Sequence, residues 1–246
     1  MRNLEEFNDR FKGQAGFVVA SGTSLNSQDL TSLRDQVTIG VNSGCVAVPD
    51  CVFFLSDDWE CAKWSYFHDL LKSKTMALLY DKKLSKWGKK FGDRAIMFSH
   101  RLGWHFTKPY LQHDNQLHIC QARTSVVTAI HIAHIMGCDP IVMLGMDGRR
   151  GPAGVRYYWQ VPGTPYVDQP GKPKRPYRLD GRNDDKFLKV NQGTTDTDLQ
   201  DIMRFWDRSA KELHKAKINL INANEYSILT QFPKMPLPEV LRKWTS

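Results

Sequence analysis

The chain has 246 residues, a net charge of +8 and a pI near 9.2, with 41% apolar and 24% charged residues. That length can bury a substantial core within one domain, and no apolar run approaches the length of a membrane span, which excludes a membrane-spanning protein. The N-terminal MRNLEEFNDRFKG carries acidic residues where a signal peptide carries an apolar core, which argues against export. Five cysteines (Cys45, Cys51, Cys61, Cys120 and Cys138) are odd in number, lack CxxC spacing and mostly sit in apolar runs. They read as reduced, buried thiols of a cytoplasmic protein. The basic balance points toward nucleic acid, anionic lipid or phosphorylated ligands.

In chain order, the apolar run Phe17 to Ala20 is too short for a helix and leads through the small-residue turn Ser21, Gly22, Thr23, Ser24 into a polar helical pattern from about Ser27 to Arg34. A strand, a tight turn and a helix N-terminus offer unpaired N–H groups to a phosphate, although neither GxGxxG nor GxxxxGK[ST] is present. Strand Val37 to Asn42 follows, and then strand Cys51 to Leu55, which ends in SDDW and presents Asp57 and Asp58. Strands nearly continuous in Val, Ile and Phe are buried on both faces, so the fold class expected is α/β, a doubly wound, mainly parallel, Rossmann-like sheet. In such sheets ligands sit beyond the carboxyl ends of the strands. That places the Ser21 to Ser24 turn, Asn42 and Asp57 on one rim.

A helix from about Trp59 to Leu71 precedes a strand at Thr75 to Tyr80. The next segment, Asp81 to Arg94, carries Lys82, Lys83, Lys86, Lys89, Lys90 and Arg94 around Trp87 and Phe91. It reads either as a solvated surface loop or as a nucleic-acid contact with phosphate-binding lysines and a stacking aromatic. His100, His105, His113 and His118 match no metal template, although one of them could serve as a general base or a phosphate contact. His131 and His134 lie inside VVTAIHIAHIM and read as packed core histidines, so no metal is assigned. Thr124 or Ser125 caps a helix running to Met136, Gly137 ends it, and strand Ile141 to Leu144 brings Gly145 and Asp147 to the same rim.

From Gly148 a Gly- and Pro-rich stretch of about fifty residues begins. Between Gly148 and Lys189 it holds ten cations against four carboxylates, so +6 of the chain's +8 is concentrated there. Arg149, Arg150 and Arg156 are among the cations, and Tyr157, Tyr158, Trp159, Tyr166 and Tyr177 add an aromatic density that a linker has no need for. The segment reads as a lid, about residues 148–197, inserted in a single domain spanning 1–246. A helix capped by Thr197 or Asp198, a strand at Ile218 to Ile221 and a Pro-rich tail complete the chain.

The motifs SGTSL, the VN ending at Asn42, TSVVTAIHIAHIMGCDPIVMLGMD and the later TTDTDL helix occur in the same order in bacterial lipooligosaccharide sialyltransferases. The chain also resembles a group of proteins that includes archaeal 6-hydroxymethyl-dihydropterin diphosphokinases. The sialyltransferase resemblance implies donor-nucleotide contacts from Gly22, Thr23, Ser24 and Asn42, donor-sugar contacts from Thr124 and Ser125, and a phosphate contact from Tyr157 or Tyr158. The family's histidine before its Thr-Asp helix start is absent, because this chain reads Asn191, Gln192, Gly193 there.

Three functions follow as expectations. The first is a glycosyltransferase using a UDP- or CMP-linked sugar, with Arg149, Arg150, Arg156 and the tyrosines on the departing phosphate and Asp57, Asp147 or Asp196 as the proton acceptor. Its acceptor is read from charge as a hydroxymethylated base in DNA, the substrate of phage-type modification enzymes, with a surface glycan as the sibling reading. The second is a pterin-type diphosphokinase, needing Mg²⁺ held by carboxylates such as Asp57, Asp58 and Asp147. The third is a non-catalytic DNA-binding module.

Overall fold

The computed structural model describes residues 2–102, 118–121, 124–148, 155, 157–161, 179 and 196–245. Nine strands form one sheet: β1 (Arg2–Asn3), β2 (Gly16–Val19), β3 (Val37–Val41), β4 (Phe53–Ser56), β5 (Met76–Tyr80), β6 (Ala95–Leu102), β7 (His118–Gln121), β8 (Ile141–Leu144) and β9 (Leu220–Asn222). The strand order is β1-β6-β5-β4-β3-β2-β8-β9, with β7 paired to β6, and every pairing is parallel. Among the described residues five α-helices accompany it: α1 (Ser65–Leu70), α2 (Asp81–Phe91), α3 (Ser125–Ile135), α4 (Asp196–Lys215) and α5 (Leu237–Trp244).

The expected α/β, doubly wound, Rossmann-like architecture is present. All residues of β2, β3, β4 and β8 are buried. Successive side chains feed two cores, one on each face of the sheet. Val18, Ile39, Phe53, Leu55 and Met143 pack on one face with α3 and with Trp206 of α4. Phe17, Val19, Phe54, Val142 and Leu144 pack on the other with Phe67, Leu84 and Phe91. Nine of the eleven residues of α3 are buried, which is why its sequence is apolar on all sides. Gly137 closes that helix at φ 91°, where a Cβ would lie 2.8 Å from the Lys12 Cα.

Several expected elements differ. The helix expected from Ser27 to Arg34 is two short 3-10 turns, Thr23–Ser27 and Leu30–Leu33. Gln28 is extended, Arg34 leaves the helical region at ψ 138°, the Asp29 carboxylate accepts from the Thr31 amide at 3.1 Å, and Asp35 takes φ 66°. No run there is long enough to repay helix nucleation. The Trp59 to Leu71 helix is likewise divided, into a 3-10 turn at Trp59–Lys63 and α1, by an extended Trp64. β1, β6, β7 and α5 were not anticipated. Most of the lid lies outside the described residues.

Leaving β2, the chain winds outward through β3, β4, β5 and β6, then returns to β8 on the other flank of β2. The order therefore reverses between β2 and β8. Crevices at such points are where doubly wound sheets take ligands.

Candidate functional site

At this reversal the Ser21 to Ser24 turn meets Asp147. The Asp147 carboxylate is buried, 8% exposed, and accepts hydrogen bonds from the Ser24 amide (3.1 Å), the Thr23 hydroxyl (3.1 Å), the Ser24 hydroxyl (2.5 Å) and the Asn224 side-chain amide (3.0 Å). The negative charge expected from a bound phosphate is thus supplied by the protein, and the turn is not an open cradle. Gly22 serves the same closure, since a Cβ there would lie 2.4 Å from the Gly145 carbonyl and 2.7 Å from an Asp147 oxygen. With its oxygens shared among four donors, Asp147 works as a clamp joining the ends of β2, β8 and β9.

One strand away, at the carboxyl ends of β3 and β4, lies a cavity of about 130 Å³ lined by Asn42, Ser43, Asp58, Glu60, Cys61, Trp64, Tyr66, Tyr157 and Trp159. Asn42 reaches it from a left-handed conformation, φ 52°, which asparagine tolerates better than most residues. Tyr157 and Trp159 stack at 5.3 Å with 8° between their planes, and Trp64 meets Trp159 edge-on at 5.5 Å. The Trp159 indole donates to the Ser43 hydroxyl at 3.2 Å, and Ser43 in turn donates to the Ser21 hydroxyl at 3.0 Å. Aromatic walls with a few fixed polar groups suit a flat heteroaromatic ring, and Asn42, Asp58 and Glu60 offer acceptors to its edge. Burial pushes the Cys61 thiol up to about 12, so it lines this cavity as an inert group.

Tyr158 does not share this role. It is 1% exposed, its hydroxyl donates to the Ser43 carbonyl at 3.1 Å, and burial raises its pKa. Of the two lid tyrosines singled out from sequence, Tyr157 faces the cavity and Tyr158 anchors it. The anchoring continues through the Tyr158 amide, which donates to the Ser21 carbonyl at 3.0 Å. Farther along the lid, the Leu179 amide donates to the Lys63 carbonyl at 2.7 Å, on the turn that carries Glu60 and Cys61.

Just beyond the end of β4, Asp58 lines the cavity whereas Asp57 meets α3. Asp57 is half-buried and accepts from the Thr128 hydroxyl at 2.8 Å, in the first turns of α3. Thr124 caps that helix, its side chain accepting from the Val126 amide at 3.4 Å, and Thr124 and Ser125 are both half-buried. A carboxylate and a helix N-terminus thus share this edge.

The fold now has a counterpart among solved structures. The chain is similar in fold to a glycosyltransferase. The MAf glycosyltransferase from Magnetospirillum magneticum AMB-1 superimposes with a TM-score of 0.50 at 9% identity, over 95% of this chain and 37% of that one. The chain thus spans little more than a third of that protein's length. No family model matches the chain. Comparison with curated proteins finds no match.

Of the remaining candidates, Asp196 opens α4, while Arg149, Arg150 and Arg156 lie outside the described residues, as do His105 and His113. Lys86, Lys89 and Lys90 are exposed on α2, which is a helix rather than a loop. His131 is fully buried, as its apolar setting implied. Among the described residues no group of three or more His, Cys, Asp or Glu side chains is placed to hold a metal ion, and no helix is long and apolar enough to cross a membrane. Sequence reasoning missed Ser43, Glu60, Trp64, Tyr66 and Trp159. Their only signal was aromatic density near two strand ends.

Proposed function

We propose that the protein is a nucleotide-sugar-dependent glycosyltransferase whose acceptor is a hydroxyl on a hydroxymethylated base in DNA. The observation that carries the transferase reading is the aromatic cavity at the carboxyl ends of β3 and β4, one strand from the point where the sheet order reverses. The nucleobase of the donor lies in it against the wall formed by the Trp64, Tyr157 and Trp159 rings, with its edge toward Asn42, Asp58 and Glu60. The likeness of fold to a glycosyltransferase supports the same reading.

In the proposed reaction the acceptor hydroxyl gives its proton to the Asp57 carboxylate, and its oxygen forms a bond to the anomeric carbon. The bond from that carbon to the donor phosphate breaks, with the electron pair leaving on the phosphate oxygen. Thr128 holds Asp57 for this task through the 2.8 Å bond. Thr124 and Ser125 stand at the N-terminus of α3, whose partial positive charge suits the donor phosphate, and Arg149, Arg150 and Arg156 of the lid add cations for the leaving group. The DNA acceptor is supported by the net charge of +8 and its concentration in the lid.

The test is mass spectrometry of a hydroxymethylated oligonucleotide after incubation with a panel of nucleotide sugars, alongside thermal shifts with UDP, CMP and ATP. A sugar-sized mass gain and stabilisation by UDP or CMP are expected. Stabilisation by ATP with Mg²⁺ alone would replace the transferase by a diphosphokinase. Transfer to a free glycan but never to DNA would remove the DNA acceptor.

A further inference from the structure

We propose that the exposed face of α2 is the surface on which the protein holds the phosphate backbone of duplex DNA, an inference that rests on the DNA-acceptor reading above. α2 begins directly after Tyr80, at the carboxyl end of β5, so its first turn lies on the edge of the sheet that carries the cavity and Asp57. Its body then runs back along β5 and β6. A duplex laid along it is led to the reacting edge.

The two faces of α2 are sharply different. Leu84 and Phe91 are buried, and Phe67 of α1 packs edge-on against Trp87 at 4.9 Å and Phe91 at 5.6 Å. Lys86, Lys89 and Lys90 are exposed, at positions that share one side of a helix, with Cβ atoms roughly 5–6 Å apart. The Lys90 ammonium rests over the Trp87 ring at 4.3 Å, and none of the three lysines has a carboxylate partner among the described residues. The patch continues beyond the helix. Arg94 donates to the carbonyls of Leu70 (3.1 Å), Leu71 (2.7 Å) and Thr75 (2.9 Å), which ties the turn bearing exposed Lys72 and Lys74 to the end of α2.

Basic helices also bind anionic membranes, but they do so by sinking apolar side chains below the headgroups. Here the apolar face of α2 is committed to the core. The large exposed hydrophobic side chains among the described residues are Trp59, Leu179 and Tyr226, none of them on α2. A row of ammonium groups on one helix face, without an insertable apolar residue, matches a row of phosphates.

Three lysine–phosphate contacts contribute about −2.7 to the slope of log K against log salt, or about 40-fold in affinity between 50 and 200 mM. The experiment is fluorescence anisotropy with a short unmodified duplex across that salt range, on the full chain. Compared are the parent, K86Q/K89Q/K90Q, and a control, K12Q/K211Q/K217Q, whose three exposed lysines lie elsewhere. The α2 variant should lower the magnitude of the salt slope by about 2.7, and the control should leave it unchanged. Melting within about 2 °C of the parent checks that the surface changes leave the fold intact. Equal slopes for parent and α2 variant, or an equal loss in the control, overturn the inference while leaving a DNA acceptor in place. A parent that binds anionic vesicles and not DNA overturns both. Because the duplex is unmodified, α2-dependent binding without any sugar transfer keeps the surface and removes only the transferase.

Discussion

Replacing Asp147 by alanine tests whether the switch-point turn is a clamp or a phosphate cradle. The carboxylate accepts from two hydroxyls and two N–H groups. On its removal the Thr23 and Ser24 hydroxyls can rotate toward other acceptors, but the Ser24 amide and the Asn224 side-chain amide cannot. Leaving those two donors without partners costs about 1–3 kcal/mol each, so a loss of about 4 kcal/mol is expected. For a chain of this size that lowers the melting temperature by about 8–16 °C. Asp147→Asn keeps one accepting oxygen and should lose about half as much. Urea unfolding followed by circular dichroism reads the change, provided the m-value is constant across the variants. The reasoning fails if Asp147→Ala is as stable as the parent. It also fails if inorganic phosphate restores the variant, because the turn would then be an anion site that the carboxylate merely fills.

Trp159→Ala removes a buried ring that walls the cavity and donates to Ser43, so a loss of about 3–5 kcal/mol is expected, together with loss of the nucleotide thermal shift. An undiminished shift would move the base site elsewhere. Thr128→Val takes away the hydroxyl that donates to Asp57; it should lower kcat more than it raises KM, and an unchanged kcat would release Asp57 from the base role. Burial raises the thiols of Cys51 and Cys61 from 9.0 to about 11 and about 12. Above pH 9 the unfolded chain therefore binds fewer protons than the folded one, and stability falls as pH rises, by about 1.4 kcal/mol per unit for each thiol. Urea midpoints at pH 8 and pH 10 should differ accordingly, and a Cys51→Ala/Cys61→Ala variant should reduce the difference, with buried Cys45, whose thiol is also raised, keeping the remainder. Equal midpoints for the parent would refute the burial argument.

The runs FVV, VTIGV, FFLS, ALLY and IVML announced the sheet because parallel strands buried on both faces need no polar alternation. Short β1 and the mixed run AIMFSHRL of β6 carry no such mark, and their strand character comes from pairing, of β1 with β6 and of β6 with β5 and β7 as well. At the site, Asn42, Asp57 and Tyr157 were legible because each adjoins a recognisable strand end or aromatic cluster. Asp147 was placed on the right edge, but the closure of the turn upon it depends on Asn224, 77 residues away. Trp64 and Trp159 meet across 95 positions of chain, a contact that no local pattern encodes.

The middle strand of the sheet has a consequence for how the chain comes to be folded. Val18 lies between Ile39 and Met143, 21 and 125 positions away. As the chain is synthesised, β2 gains its first neighbour early but presents its other hydrogen-bonding edge until more than a hundred further residues have emerged. Closure over so long a loop is slow, and an unpaired edge made of Phe, Val and Val invites pairing with other chains. The strand that anchors the site is therefore the one that waits longest for its second neighbour.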